Sequence, residues 1–117
     1  MEHLPNYNKE ERPWGNFERF TLNEKTTVKI ITVKPGEAFS LQTHTHREEF
    51  WRVLEGDGTI TIGTIEHAAT AGKQFFTPRG EKHRALGGPQ GLKLLEIAFG
   101  DFDESDIIRL EDRYGRK

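Results

Sequence analysis

From Phe17 onward, short runs rich in Val, Ile, Thr and Phe alternate with polar positions and are broken by Gly, Pro, Asn or Asp. Such runs suit a pleated, half-buried surface and read as strands. The pattern predicts strands over 17–22, 26–33, 39–46, 49–54, 59–62, 74–77, 83–86 and 92–99. Pro35-Gly36, Gly56-Asp57-Gly58, Gly72, Pro78-Arg79-Gly80 and Gly87-Gly88-Pro89 supply the turn signals between them. Many short strands at this spacing predict an all-β sandwich or barrel. No helical period precedes Asp101, and Asp103-Glu104-Ser105-Asp106 before Ile107-Ile108 predicts one short C-terminal helical turn. Residues 1–11 are polar and read as an N-terminal arm, poorly ordered on its own. Arg12-Pro13-Trp14-Gly15 reads as a turn carrying one large aromatic, and residues 12–117 form a single domain without repeat or linker.

Composition narrows the function. At 117 residues the chain holds one core without disulfide staples. Seventeen basic residues against nineteen acidic ones give a net charge of −2. That argues against a nucleic-acid partner, which calls for a basic face, yet leaves room for a local basic patch toward a phosphorylated ligand. With no cysteine there is no disulfide, thiolate metal site or cysteine nucleophile. No apolar run approaches the ~18 residues of a membrane span, and the N-terminus lacks a signal-peptide core. The expectation is a cytoplasmic protein with no membrane partner.

The chemistry gathers around Phe39-Ser40-Leu41-Gln42-Thr43-His44-Thr45-His46. On a strand, Gln42, His44 and His46 share one face. Three inward polar groups are costly unless satisfied. A metal ion would satisfy them, and so would a solvated strand face or ordinary hydrogen bonds.

The wider spacing resembles the cupin superfamily. Gly36, Gln42, His44, Glu49 and Gly56 stand at the spacings of its first motif, with Gln in place of the first His; Gly72, Pro78, Gly80 and His83 match the second, which departs at its end with Gly87 for Asn. This resemblance implies a double-stranded β-helix, or jelly-roll barrel, with Gln42, His44, Glu49 and His83 as metal ligands. A mixed nitrogen and oxygen set suits a divalent ion such as zinc, with manganese, iron, cobalt and nickel as alternatives.

A closer likeness lies inside that frame. Leu41-Gln42-Thr43-His44-Thr45-His46-Arg47-Glu48-Glu49-Phe50-Trp51 resembles the signature of type II mannose-6-phosphate isomerases. Arg12–Gly15, Pro78–Arg84 and the closing Asp106–Arg116 resemble that family's flanking motifs. Phe50 stands where the family usually has His, and alternation turns it away from Glu49. The resemblance implies a metal-dependent isomerase interconverting mannose 6-phosphate and fructose 6-phosphate. The alternative is a sugar-binding cupin of polysaccharide or nucleotide-sugar metabolism that does not turn over or has a different specificity. An iron dioxygenase, a further cupin chemistry, fits the arginines less well. Larger family members add a nucleotidyltransferase domain, so guanylyltransferase activity is not expected here.

Within that reading His46 is the first choice for proton transfer, its ordinary pKa near 6.5 suiting the task, beside the plainer role of a hydrogen bond in the pocket wall; Glu48 is the second choice. Arg47 and Arg84 are expected to hold the substrate phosphate, with Trp51 lining the substrate side of the barrel beside Val53. Lys82 and Arg79 read as surface charge, and His3 and His67 as incidental, the latter in a hairpin. Trp14 reads as a packing plug rather than a sugar platform, and Phe75 and Phe76 face opposite ways. Tyr114, Arg113 and Arg116 are expected to cover the barrel or touch a partner subunit. A homodimer is expected from family habit and from the need to protect sheet edges.

Overall fold

The structure is a computed structural model that describes residues 4–112, 114 and 115. His3, Arg113 and Arg116, and the roles expected of them, lie outside these residues. Among the described residues the regular elements are nine strands: β1 Asn8–Arg12, β2 Gly15–Arg19, β3 Thr26–Val33, β4 Leu41–Thr43, β5 Glu48–Ile62, β6 Ile65–Thr70, β7 Gln74–Thr77, β8 His83–Phe99 and β9 Ile108–Glu111.

Two long strands organise the molecule. Residues 48–53 of β5 pair with the end of β8, and residues 58–62 pair with its beginning. β3 pairs with β8 and β7 with β5 around the first half; β6, β4 and β9 extend the second. Register shifts between Val53/Glu55 and Gly56/Gly58 separate the halves, and such bulges bend a strand and tighten its twist. Gly56 is where the bend demands glycine: its φ is +81°, and a Cβ there would lie 2.1 Å from the Gly91 carbonyl oxygen. The sequence divides these long strands at their glycines, and the structure carries the ladder through them.

Side-chain alternation then sorts the two faces of β5 and β8. Trp51, Val53, Leu92 and Leu94 join Val33, Ile60, Ala69 and Ala85 in one interior cluster drawn from both halves. Phe50 and Ile97, paired across the strands, face outward and meet Leu4, Tyr7, Phe20, Phe76 and Phe99. Phe75 packs inside and Phe76 outside, as alternation requires. The all-β cupin architecture expected from the sequence is therefore present.

Four local expectations change. The predicted C-terminal helical turn does not form. Asp103 accepts hydrogen bonds from the Ser105 amide and hydroxyl, closing a turn, and Ile108–Glu111 then adds to β4 as β9; unpaired edge groups on β4 and β-branched Ile108 favour a strand over one uncapped helical turn. Residues 8–11, expected in a poorly ordered arm, belong to β1, which pairs with β2, and Leu4 is only 1% exposed beneath the outer face of the barrel. β4 ends at Thr43, short of the run 39–46. Trp14, at the β1–β2 turn, is 73% exposed and plugs nothing, because its hairpin pairs only with itself.

Candidate metal centre

Strand ends bring the chemistry together. Glu49 is the second residue of β5, His83 the first of β8, and His44 follows β4 directly. Gln42 and His83 are register partners, so β4 delivers His44 beside them. One ligand atom from each of His44, Glu49 and His83 lies within 4.8 Å of the others, a spacing that can hold a metal ion. All three residues are buried, at 3%, 2% and 1% exposure.

The histidines are oriented by backbone carbonyls. His44 Nδ1 lies 2.5 Å from the Asp106 carbonyl oxygen and His83 Nδ1 lies 3.1 Å from that of Glu81. A carbonyl only accepts, so each Nδ1 carries a hydrogen; a ring in its neutral form would then offer its lone pair at Nε2. Outer contacts of this kind commonly fix the rings of metal-ligating histidines. Both Nε2 atoms turn toward Glu49 Oε1, at 3.7 Å and 3.0 Å. His83 Nε2 and Glu49 Oε1 nevertheless lack a well-formed hydrogen bond. Two buried, unsatisfied groups facing each other are costly in a protein interior, and a cation between them would satisfy both. The residues present thus fit a divalent metal.

Protonation favours ligation as well. Burial pushes the Glu49 carboxyl up, but His83 first, then His44 and Arg47, outweigh it and hold the group near 2. Burial pushes the His44 imidazolium down, only partly offset by its bond to Asp106, so the neutral ligand form prevails at neutral pH.

The other expected site residues are placed unevenly. Gln42 stands beside His83, with its Oε1 accepting a hydrogen bond from Ser40 Oγ at 2.9 Å. Arg47 is buried inside the site: Nε lies 3.2 Å from Glu49 Oε2, one Nη 3.2 Å from His44 Nε2 and the other 3.2 Å from the Asp103 carbonyl, with the guanidinium 4.3 Å from the centre of the Phe102 ring. Trp51 lines the interior, but behind the ligands: it is 1% exposed, meets His83 edge-on at 5.5 Å and donates Nε1–H to Glu96 Oε2 at 3.0 Å.

Three expectations are corrected in place. His46 does not share an inward face with Gln42 and His44. The Asp106 carboxylate accepts the backbone N–H groups of Thr45 and His46, bending the chain after β4 and leaving His46 exposed. Glu48 precedes Glu49 on β5 and so faces the other way. Arg84 follows His83 on β8 and is likewise turned away; it donates to the Phe39 carbonyl at 3.2 Å and pairs with Glu111 at 3.4 Å, tying β8 to β9.

Sequence reasoning missed Glu96, Phe102 and Asp106. Glu96 is buried on β8, Oε2 held by Trp51 and Oε1 without a hydrogen-bond partner; burial, then the charge of Glu49, push its pKa up to about 7. A carboxylate inside the apolar run Leu94-Leu95-Glu96-Ile97-Ala98-Phe99 was the signal that could have found it. Phe102 and Asp106 act through a ring face and a backbone carbonyl, for which sequence spacing offers no signal. A cleft of about 500 Å³ is bordered by Ile31, Lys34, Glu37, Phe39 and Tyr114, and its lining includes none of His44, Glu49 and His83. Phe39 links it to the interior through an edge-on contact with Trp51 at 5.7 Å.

Comparison with known proteins supplies the family. The model of the mannose-6-phosphate isomerase C-terminal family matches residues 2–112. The chain belongs to this family. It is 40% identical over 107 residues to the xanthan biosynthesis protein XanB of Xanthomonas campestris pv. campestris, and 37% identical over 107 residues to a mannose-1-phosphate guanylyltransferase of Escherichia coli K12. In each case the match takes 90% of this chain and 23% or 22% of the relative, so the chain spans about a quarter of the length of these curated relatives. Two solved structures share the fold. The capsular polysaccharide assembling protein CapF of Staphylococcus aureus aligns with TM-score 0.68 and 20% identity over 90% of this chain and 32% of its own. Bacillus subtilis oxalate decarboxylase aligns with TM-score 0.68 and 22% identity over 74% of this chain and 24% of its own. Among the described residues, no helix is long and apolar enough to cross a membrane.

Proposed function

We propose that this chain is a metal-dependent sugar-phosphate isomerase unit interconverting mannose 6-phosphate and fructose 6-phosphate. The observation that carries the proposal is the convergence of His44, Glu49 and His83 within 4.8 Å, in a chain that matches the isomerase family over residues 2–112. Gln42 is the fourth ligand of this reading, and zinc its first choice of ion, ahead of manganese, iron, cobalt and nickel. When bound, the ion supplies Lewis-acid polarisation of the sugar oxygens.

The chain's own residues do the rest. Aldose–ketose isomerisation moves one proton from C2 to C1 and one from the C2 hydroxyl to the C1 oxygen, so that the carbonyl passes from C1 to C2. The proton acceptor belongs inside the barrel, where Glu96 presents Oε1 and Trp51 fixes its other oxygen; exposed His46 and outward Glu48 are poorly set for it. Arg47 is the cation best placed to take the phosphate, since Arg84 is committed to β9. The reaction takes place in the cytoplasm, in a homodimer. The β1–β2 hairpin, which pairs with no other strand and exposes Trp14 and Phe17, supports an association between copies.

A second reading, a sugar-binding cupin without turnover, is favoured by the near-complete burial of the three ligands. One experiment separates the two: metal content of the purified protein, with mannose 6-phosphate turnover before and after chelation. Turnover that chelation abolishes and metal restores is the expected result. Bound metal with no turnover of any hexose phosphate would overturn the isomerase in favour of the binding module.

A further inference from the structure

Arg47 and a metal ion would meet at one atom, His44 Nε2, and on one carboxylate, Glu49. His44 has one lone pair for the site, at Nε2, because Nδ1 is committed to the Asp106 carbonyl. A guanidinium has donors only, so the Arg47 contact to His44 Nε2 at 3.2 Å consumes that lone pair. The same lone pair is the one His44 would offer a metal. Arg47 also holds Glu49, but at the other oxygen: Oε2 takes Arg47 Nε at 3.2 Å, while Oε1 faces the two imidazoles. A dication on these atoms and a guanidinium against them would also repel strongly in so dry a place. The remaining holds on Arg47, the Asp103 carbonyl and the Phe102 ring face, belong to the segment between β8 and β9 and involve no ligand atom.

We infer that Arg47 is an internal counter-cation that competes with the metal for the His44 lone pair beside the shared Glu49 carboxylate, and that metal binding frees its guanidinium to hold the phosphoryl oxyanion of the ligand. This rests on the metal-centre and sugar-phosphate readings above. A planar guanidinium fork matches a phosphate oxyanion, and a freed Arg47 has lost two of its three hydrogen bonds. Linkage requires the effect to be mutual: a phosphate that draws Arg47 away must strengthen metal binding, by the factor with which metal strengthens phosphate binding.

The sign of one substitution decides between competitor and support. If Arg47 merely held Glu49 in place, removing it would weaken metal binding. If it competes, Arg47→Met strengthens it. The measurement is Co²⁺ titration of the chelator-stripped full chain, followed by calorimetry and by the visible absorption of the bound ion, with and without inorganic phosphate. The expected result is Co²⁺ binding tighter on the order of 10-fold in Arg47→Met, the usual size of coupling between sites. Phosphate should tighten Co²⁺ binding to the unmodified chain and leave the variant unaffected. Arg47→Lys, which keeps the charge, should stay near the unmodified chain, and it carries the phosphate arm if the Met variant does not fold. Equal or weaker Co²⁺ binding by folded Arg47→Met overturns the competition. An equal phosphate effect in both chains overturns the phosphate role. Absence of Co²⁺ binding in every chain overturns the metal centre itself, and the inference with it.

Discussion

The two faces of β5 and β8 are built from neighbouring residues and yet obey opposite rules. Outside, Phe50 and Ile97 meet Leu4 and a ring of partly buried aromatics, with the partly exposed Arg52–Glu18 ion pair only at its edge. Inside, one residue away on the same strands, Glu49, Trp51 and Glu96 share the space with His44, His83 and Arg47. Both faces are buried, so burial alone does not explain the difference. The outer face needs only area removed from water. The inner face retains five ionisable side chains whose desolvation costs stability unless each is paired, and the pairing is incomplete at Glu49 Oε1, His83 Nε2 and Glu96 Oε1. A fold that keeps such atoms unsatisfied is holding chemistry rather than only itself.

The contrast breaks most sharply at Phe50. Phe50→Ala should cost about 3–5 kcal/mol of stability, the usual range for a buried aromatic, while leaving metal affinity within about 2-fold because the residue faces away from the ligands. Urea denaturation and metal titration of the same variant test both halves.

The next largest effect belongs to Glu96. Its pKa is raised in the fold to about 7 from an ordinary 4.5. Its contribution is therefore fully present below about pH 4.5 and lost as pH rises through about 7, at most about 3 kcal/mol in all. Glu49 acts in the opposite sense: with its pKa lowered to about 2, its contribution is present above 4.5 and lost as pH falls toward 2. Melting temperatures of the chelated protein should thus fall between pH 4.5 and 7, and Glu96→Gln should flatten that interval. An unchanged slope in the variant would show that Glu96 is not the group responsible.

Glu49→Gln comes third. It removes the one negative ligand, and metal affinity should drop by at least about 100-fold, since even outer partners of metal ligands are worth 10–100-fold. The smallest effect is expected at Asp106, whose carboxylate holds the 45–46 backbone while its carbonyl orients His44. Asp106→Ala should weaken metal binding by about 10-fold with little change in urea midpoint. A large loss of stability there would make the segment part of the scaffold instead.

Much of this was legible along the chain. The period-2 runs located β3 and β7 at their observed bounds, and alternation correctly separated Phe50 from Glu49 and Phe75 from Phe76. Those features are local, because a strand's two faces follow from backbone geometry alone. The motif spacing picked out His44, Glu49 and His83, which the fold brings within 4.8 Å of one another.

What failed to follow from the sequence depends on contacts between distant segments. That residues 108–111 form a strand was decided by the edge of β4, with β-branched Ile108 in support. His46 was turned out of the site by Asp106, sixty residues away, and Arg47 was drawn in by Glu49, the Asp103 carbonyl and the Phe102 ring. Composition and periodicity determine which residues are inward on a strand, because that is a property of the strand. Which polar groups meet inside, and which cation satisfies them, is decided only when β4, β5, β8 and the segment before β9 close on one another, because hydrogen bonds and ion pairs act over a few ångströms and are indifferent to separation along the chain.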